Sequence, residues 1–152
     1  MVHFNDEEEY IRVMDGKSFI KNAVLSKEPG ILFITFYSTY EEFLQDYPNS
    51  KLRKEDYDKY LSNVKVDKLL TRNTAETLMR FPELDTVSLS VPKKEKEIIL
   101  EVQRKELNEY INKPIESLSS RDQTWQKFFS EVYIDGVKNV NRDRYIKKFI
   151  RE

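Results

Sequence analysis

Residues 86–104 read T-V-S-L-S-V-P-K-K-E-K-E-I-I-L-E-V-Q-R, and this stretch decides the fold. In its first arm Val87, Leu89 and Val91 alternate with Thr86, Ser88 and Ser90. In its second arm Ile98, Leu100 and Val102 alternate with Ile99, Glu101 and Gln103. A period of two marks a strand with one buried and one wetter face. Between the arms, Pro92, Lys93, Lys94, Glu95, Lys96 and Glu97 cannot be buried cheaply and read as an exposed turn. The stretch is therefore a β-hairpin, and each inward side chain contributes roughly 1.5–3 kcal/mol if fully buried. Those side chains need a covering layer.

Upstream, I-L-F-I-T-F-Y at 31–37 is apolar on both faces and rich in β-branched and aromatic residues, as a central strand should be. Lys27-Glu28-Pro29-Gly30 is a turn before it. Phe19–Leu25 and Ile31–Tyr37 thus make a first hairpin, with the chain extended from Lys17. Tyr10–Met14 fits strand and helix equally, Asp15-Gly16 is a turn, and residues 1–9 form an acidic, flexible leader. After Tyr37, Ser38 with Glu41 and Thr39 with Glu42 offer two overlapping capping boxes. The short helix they open ends near Asp46, before Tyr47-Pro48. Further helices are expected at Lys54–Ser62 and at Asp67–Phe81, where Thr71-Arg72-Asn73-Thr74 argues for a later start. Ala75, Leu78 and Met79 would face the sheet.

Beyond the central hairpin, Lys105–Ile111 reads as a helix with Leu107, Tyr110 and Ile111 inward. Ser119 or Ser120 caps a helix over Arg121–Tyr133 that carries Trp125, Phe128, Phe129 and Val132. Asn141 caps a last helix whose stripe is Tyr145, Ile146, Phe149 and Ile150. The expected fold is α+β: two hairpins in one antiparallel or mixed sheet, with several short helices packed on one face. The 152 residues fit a single domain.

Chemistry is scarce. Acids and bases are interspersed and the net charge is −1, so nothing demands a nucleic acid or an anionic membrane as partner. The absence of cysteine rules out disulfides, thiolate zinc sites and a Cys nucleophile. The single histidine, His3, lies in the leader, away from any fixed carboxylate or serine. Glycines 16, 30 and 136 never cluster into a phosphate loop. The acidic groups Glu7-Glu8-Glu9, Glu41-Glu42 and Glu55-Asp56 with Asp58 stand at helix starts or turns, where acids favour the helix dipole. No enzyme, cofactor or metal site is expected, and no apolar run reaches the length of a membrane span.

Two sets of residues remain as candidate binding surfaces. The basic, amphipathic last helix offers Arg142, Arg144, Lys147 and Lys148 to phosphates or lipid head groups. The plainer account is a docked terminal helix with solvated cations near its C-terminus. The tyrosines of 37–60 offer Tyr40, Tyr47 and Tyr57 as amphipathic contact area. The plainer account there is a core edge with polar tips in water.

Several stretches carry a resemblance: F-Y-S-T-Y-E-E-F at 36–43, Y-P-N-S-K-L-R-K-E-D-Y at 47–57 and L-M-R-F-P-E-L-D-T-V-S-L-S-V at 78–91. V-Q-R-K-E-L-N-E-Y-I at 102–111, W-Q-K-F-F at 125–129 and R-Y-I-K-K-F-I-R at 144–151 complete the set. Together they resemble small lipoproteins of low-GC Gram-positive bacteria, in which a similar α+β domain follows a lipid-anchored cysteine. The resemblance implies an extracytoplasmic, membrane-tethered domain that acts by contact with an unknown protein partner or as a structural module. It transfers no catalytic or ligand residue. The anchoring cysteine is not in this chain, so contact with the membrane would run only through an anchor outside it; otherwise the protein is cytoplasmic. The alternative reading is a cytoplasmic, nucleic-acid-associated accessory protein of a mobile element, using the basic last helix; nucleic acid is the less favoured partner.

Overall fold

The hairpin read from residues 86–104 lies in the middle of a five-stranded mixed sheet of order β1-β2-β3-β4-β5. The strands are β1 (Ile20–Lys27), β2 (Gly30–Phe36), β3 (Thr86–Lys93), β4 (Lys96–Gln103) and β5 (Ile150–Arg151). The computed structural model describes residues 9–94 and 96–151. Most of the expected leader, His3 included, lies outside the described residues, and residues 9–11 form a helical turn. The helices are α1 (Tyr40–Asp46), α2 (Lys54–Tyr60), α3 (Asn63–Arg80), α4 (Arg104–Ile111), a π-helix (Gln126–Ile134) and α5 (Val140–Phe149), with short 3-10 helices at Lys17–Phe19, where an extended chain was expected, and at Ile115–Ser117. The fold is α+β with two hairpins, β1-β2 and β3-β4.

Those hairpins are joined in parallel. Leu32 stands beside Val87 and Ile34 beside Leu89 across the β2-β3 seam. A parallel pair needs a long crossover, and the chain through α1, α2 and α3 provides it. Continuing the rows, Val87 faces Val102 and Leu89 faces Leu100, while Leu25 faces Leu32 on β1. Leu32, Ile34, Val87, Leu89, Leu100 and Val102 are thereby brought onto one face and fully buried. Pairing continues to Lys93 opposite Lys96, so the turn is shorter than the charged run implied, and Lys94 takes a left-handed φ of 51°. Gly30 ties the seam at its base. Its carbonyl accepts from Asp85 N at 2.7 Å, and a Cβ there would meet the Glu83 carbonyl oxygen at 2.7 Å.

The covering layer departs from expectation in four places. First, α3 starts earlier than expected, at Asn63, and its polar run is buried within it. Thr71 and Thr74 return their hydroxyls to the carbonyls of Asp67 and Leu70, and the Asn73 amide donates to Asp15 O at 2.9 Å. Hydroxyls that bond back to the preceding turn let such residues sit inside a helix.

Second, the helix expected over Arg121–Tyr133 begins only after a turn at 120–123 and continues as a π-helix, with Asp135 N donating to Ser130 O at 2.9 Å. Its wider turn buries Trp125, Phe129 and Ile134 and turns Phe128 and Val132 outward. Third, Asn139 rather than Asn141 caps α5, its side chain accepting from Arg142 N at 3.0 Å. Fourth, Ile150 leaves the helix to pair with Leu100 as part of β5. At α1 neither expected capping box closes: Thr39 accepts from Glu42 N, but the Glu42 carboxylate accepts from Ser38 N, one residue before the cap, at 2.9 Å.

Candidate functional site

Two surfaces stand out once the sheet and helices are in place. The first is a cleft of about 670 Å³ at the C-terminal ends of the parallel strands β2 and β3. Ligand crevices in open α/β sheets occur at this end of parallel strands, because adjacent strands there lead into different elements. Here β2 leads into α1, whereas β3 turns back through the hairpin tip. The first turn of α1 and one side of α2 form one wall, with Tyr40, Glu41, Lys54, Asp58 and Leu61. The hairpin tip forms the other wall, with Pro92, Lys93, Lys94, Lys96 and Glu97. Phe36, Tyr57 and Val91, all buried, make an apolar floor.

The cations in this cleft are not equivalent. Lys54 is held by Asp58 at 2.8 Å, which raises its pKa, and Lys93 by Asp67 at 2.8 Å. Lys94 and Lys96 have no hydrogen bond or ion pair to a carboxylate among the described residues. Both are exposed.

The second surface is the other face of the sheet, which is open over β1 and β2, while Thr86 and Ser88 of β3 on the same face are buried at 7% and 8%. Val24 of β1 stands directly opposite Phe33 of β2, and they are 50% and 40% exposed. Ile31 and Thr35 on β2 and Ile99 on β4 flank them, half-buried. β2 and β3 contribute apolar or hydroxylic residues to this face, and β1 adds Asn22 and Ser26 on either side of Val24; charge enters at the β4 margin, where Arg151 bonds Glu101 at 3.0 Å. The outer edge of β1 has no neighbouring strand among the described residues.

The candidate tyrosines divide between these regions. Tyr40 and Tyr57 line the cleft, and their hydroxyls are committed to backbone carbonyls. Tyr40 donates to Leu52 O at 2.6 Å and Tyr57 to Tyr37 O at 2.9 Å. Burial, followed by the charge of Asp58, pushes the Tyr57 phenol up to about 12. Tyr47 is 51% exposed and lies outside the cleft, its ring 5.3 Å from Phe43. Of the remaining pair, Tyr37 donates to Asp46 at 2.7 Å and Tyr60 bonds Asp15.

The basic helix also divides. Arg144, Lys147 and Lys148 are exposed on α5. Arg142 is not part of that surface: it is 2% exposed, and its guanidinium donates to the carbonyls of Ile134, Gly136 and Val137 at 2.6–2.8 Å. It caps the end of the π-helix, where unpaired carbonyls attract a cation. Arg104 does the same for α3, donating to Leu78, Phe81 and Leu84 carbonyls while pairing with Glu116 at 2.9 Å.

Several of the described acidic residues are engaged as well. Glu42 accepts from Ser38 N and Lys21, Asp56 from Arg53 N, and Asp58 from Lys54. Among the described residues, no group of three or more His, Asp or Glu converges as metal ligands would, and no helix is long and apolar enough to cross a membrane. The lysine wall of the cleft was missed in the sequence, where Lys93, Lys94 and Lys96 read only as a solvated turn. Their meeting with Tyr40 and Tyr57 depends on the parallel seam, for which no local pattern exists. Compared with family models, with curated proteins and with solved structures, the chain has no significant match.

Proposed function

We propose that this is a non-enzymatic domain that works by protein contact, using the bare face of its sheet, and that it does so outside the cytoplasm in a membrane-tethered form. The observation that carries the contact reading is the Val24–Phe33 pair. A chain with only 39% hydrophobic residues leaves two large ones facing each other in water, with the nearest charges of that row, Glu101 and Arg151, paired at the β4 margin. Contiguous exposed apolar area of this kind marks contact surfaces, and an uncharged centre with charges at the margin is the usual make-up of an interface. The extracytoplasmic part rests on the lipoprotein resemblance. An acyl anchor would need a cysteine, which these 152 residues lack, so the test uses the full native gene.

Two measurements test the reading. A photo-crosslinking amino acid placed at Phe33 in cells should give a discrete protein adduct, whereas the same group at Lys147 should not. Equal labelling at both positions, or none at Phe33, would overturn the contact reading. Fractionation of cells, followed by protease added to intact wall-stripped cells, should find the domain with the membrane and open to cleavage. A soluble, protected protein would overturn the tethered reading.

A further inference from the structure

We infer that the outer stripe of α5, with the turn before it, docks on an anionic lipid surface. Val137 in that turn and Val140 at the start of α5 are 73% and 63% exposed, among the most exposed large apolar side chains described. α5 buries Arg142, Tyr145 and Phe149 on its inner side. Val140, Arg144, Lys147 and Lys148, at spacings of three and four, share the outer side, and all four are exposed. Lys138, also exposed, lies between the two valines in sequence.

Charge decides what this surface meets. Lys138, Arg144, Lys147 and Lys148 have no ion pair to a carboxylate among the described residues. The acids nearby in sequence are Asp143 at the margin of the stripe, Glu131 on the π-helix, and Asp135, which accepts from the Ser130 hydroxyl at 3.0 Å. On the stripe itself, three cations stand against Asp143 alone. Accessible valines set among unpaired cations suit a bilayer: the valines enter the acyl boundary and the basic side chains meet the head groups. A nucleic acid is met by cations and, when single-stranded, by rings. The stripe has no exposed ring, and its valines would stay in water. The inference takes its setting from the membrane-tethered reading, since an anchor raises the local lipid concentration and lets a weak contact fix how the domain sits. α5 packs on the covered side of the sheet. A domain lying on its outer stripe therefore turns Phe33 away from the bilayer, toward a partner.

The chain has no cysteine, so Val137→Cys or Val24→Cys carries a single environment-sensitive label such as NBD. Each labelled chain is titrated with vesicles of mixed phosphatidylserine and phosphatidylcholine, and with pure phosphatidylcholine. The label at Val137 should shift to the blue with the mixed vesicles at low salt and stay unchanged with the neutral ones, and added salt should reverse the shift. The label at Val24 should not respond. Replacing Arg144, Lys147 and Lys148 together by Gln should weaken binding at least tenfold, each cation near an anionic surface contributing about fivefold. Asp143→Asn should strengthen it. These positions are exposed, so circular dichroism of each variant should match the parent. The inference is overturned if the Val137 label is silent, if the Val24 label responds equally, or if neutral vesicles serve as well. It is also overturned if the triple variant binds like the parent, or if a DNA duplex binds the stripe more tightly than the vesicles do. A silent label beside membrane-bound, protease-sensitive protein in cells removes this surface alone; a shifted label beside soluble, protected protein removes the tether alone.

Discussion

Ile34 and Leu89 stand side by side across the parallel seam and are 1% and 0% exposed, while the next pair along the same strands is Phe33 beside Ser88, with Phe33 40% exposed. The two pairs share backbone hydrogen bonding, twist and chain neighbours. Their difference is what lies above them. On one side α3 and α5 seal the row, with the π-helix packed behind them. On the other, Ser88 is still buried at 8% but Phe33 and its β1 partner Val24 are not covered, and the strands still hold their register. The sheet thus seals one face fully and leaves the β1-β2 part of the second open.

Placing one carboxylate on each face is the most direct way to break that contrast. Leu89→Asp or Leu100→Asp buries an unpaired charge under the helices, a change expected to cost more than about 4–5 kcal/mol and to exhaust most of a typical domain's stability. Neither variant should give a cooperative melt. Phe33→Asp removes only a cross-strand contact with Val24 and should cost no more than about 1 kcal/mol. If Phe33→Asp unfolds the domain as Leu89→Asp does, the second face is covered after all.

The covering layer can be tested at its joints. Arg142 fastens the π-helix to α5 through three carbonyls, and its Nε is buried without a partner. Arg142→Gln cannot reach all three, and the buried Ile134 carbonyl left unpaired costs about 1–3 kcal/mol, while those of Gly136 and Val137 are only part-buried. The expected loss is roughly 2–3 kcal/mol in urea unfolding, with Arg142→Lys recovering only part because a single ammonium lacks the planar fork. A loss below about 1 kcal/mol would return Arg142 to the solvated surface.

A smaller effect is expected between α3 and α5, where the Thr74 hydroxyl lies 2.8 Å from the Tyr145 hydroxyl, both fully buried. Burial pushes the Tyr145 phenol upward, which keeps it protonated and able to donate. Thr74→Val should cost about 1–2 kcal/mol by stranding that hydroxyl. Adding Tyr145→Phe should recover much of it, a coupling that a double-mutant cycle measures. Additive losses would mean that the two hydroxyls do not act as a pair.

These joints also show where the sequence was readable. The alternation of Val87, Leu89 and Val91 specified a buried face because side-chain period in a strand is a local property. The same holds for the cap at Thr39. The π-helix was not readable: Trp125, Phe128, Phe129 and Val132 fit an α stripe, and only packing under α5 selects the wider turn that exposes Phe128 and Val132. Thr71, Asn73 and Thr74 looked like a helix boundary because polar residues favour helix ends; Thr71 and Thr74 are instead satisfied by carbonyls one turn back, and Asn73 and Thr74 find Asp15 and Tyr145, which are distant in sequence. Of the candidate binding residues, Tyr40 and Tyr57 do meet in one cleft. Arg142 misled because a guanidinium serving as a C-terminal cap is indistinguishable in sequence from one in a basic patch.

The smallest effect lies where the open edge of the sheet meets its cover. Lys21 of β1 donates to Glu42 of α1 at 3.1 Å, and the same carboxylate accepts from Ser38 N at 2.9 Å. That backbone bond, with the lysine, lowers the Glu42 pKa below its ordinary 4.5. A carboxylate depressed on folding contributes stability that is fully present above its unfolded pKa and is lost as pH falls through the lower, folded value. Glu42→Gln keeps an acceptor for Ser38 N but removes the charge. At neutral pH it should cost about 0.5–1 kcal/mol, the modest figure fitting a pair whose side chains are 44% and 31% exposed. The gap between parent and variant melting temperatures should narrow as pH drops below 4.5 and vanish once the carboxylate is protonated in the folded state. A gap that stays constant into acid would mean that the side chain acts at this joint through packing, and that the β1 edge is held to α1 without help from charge.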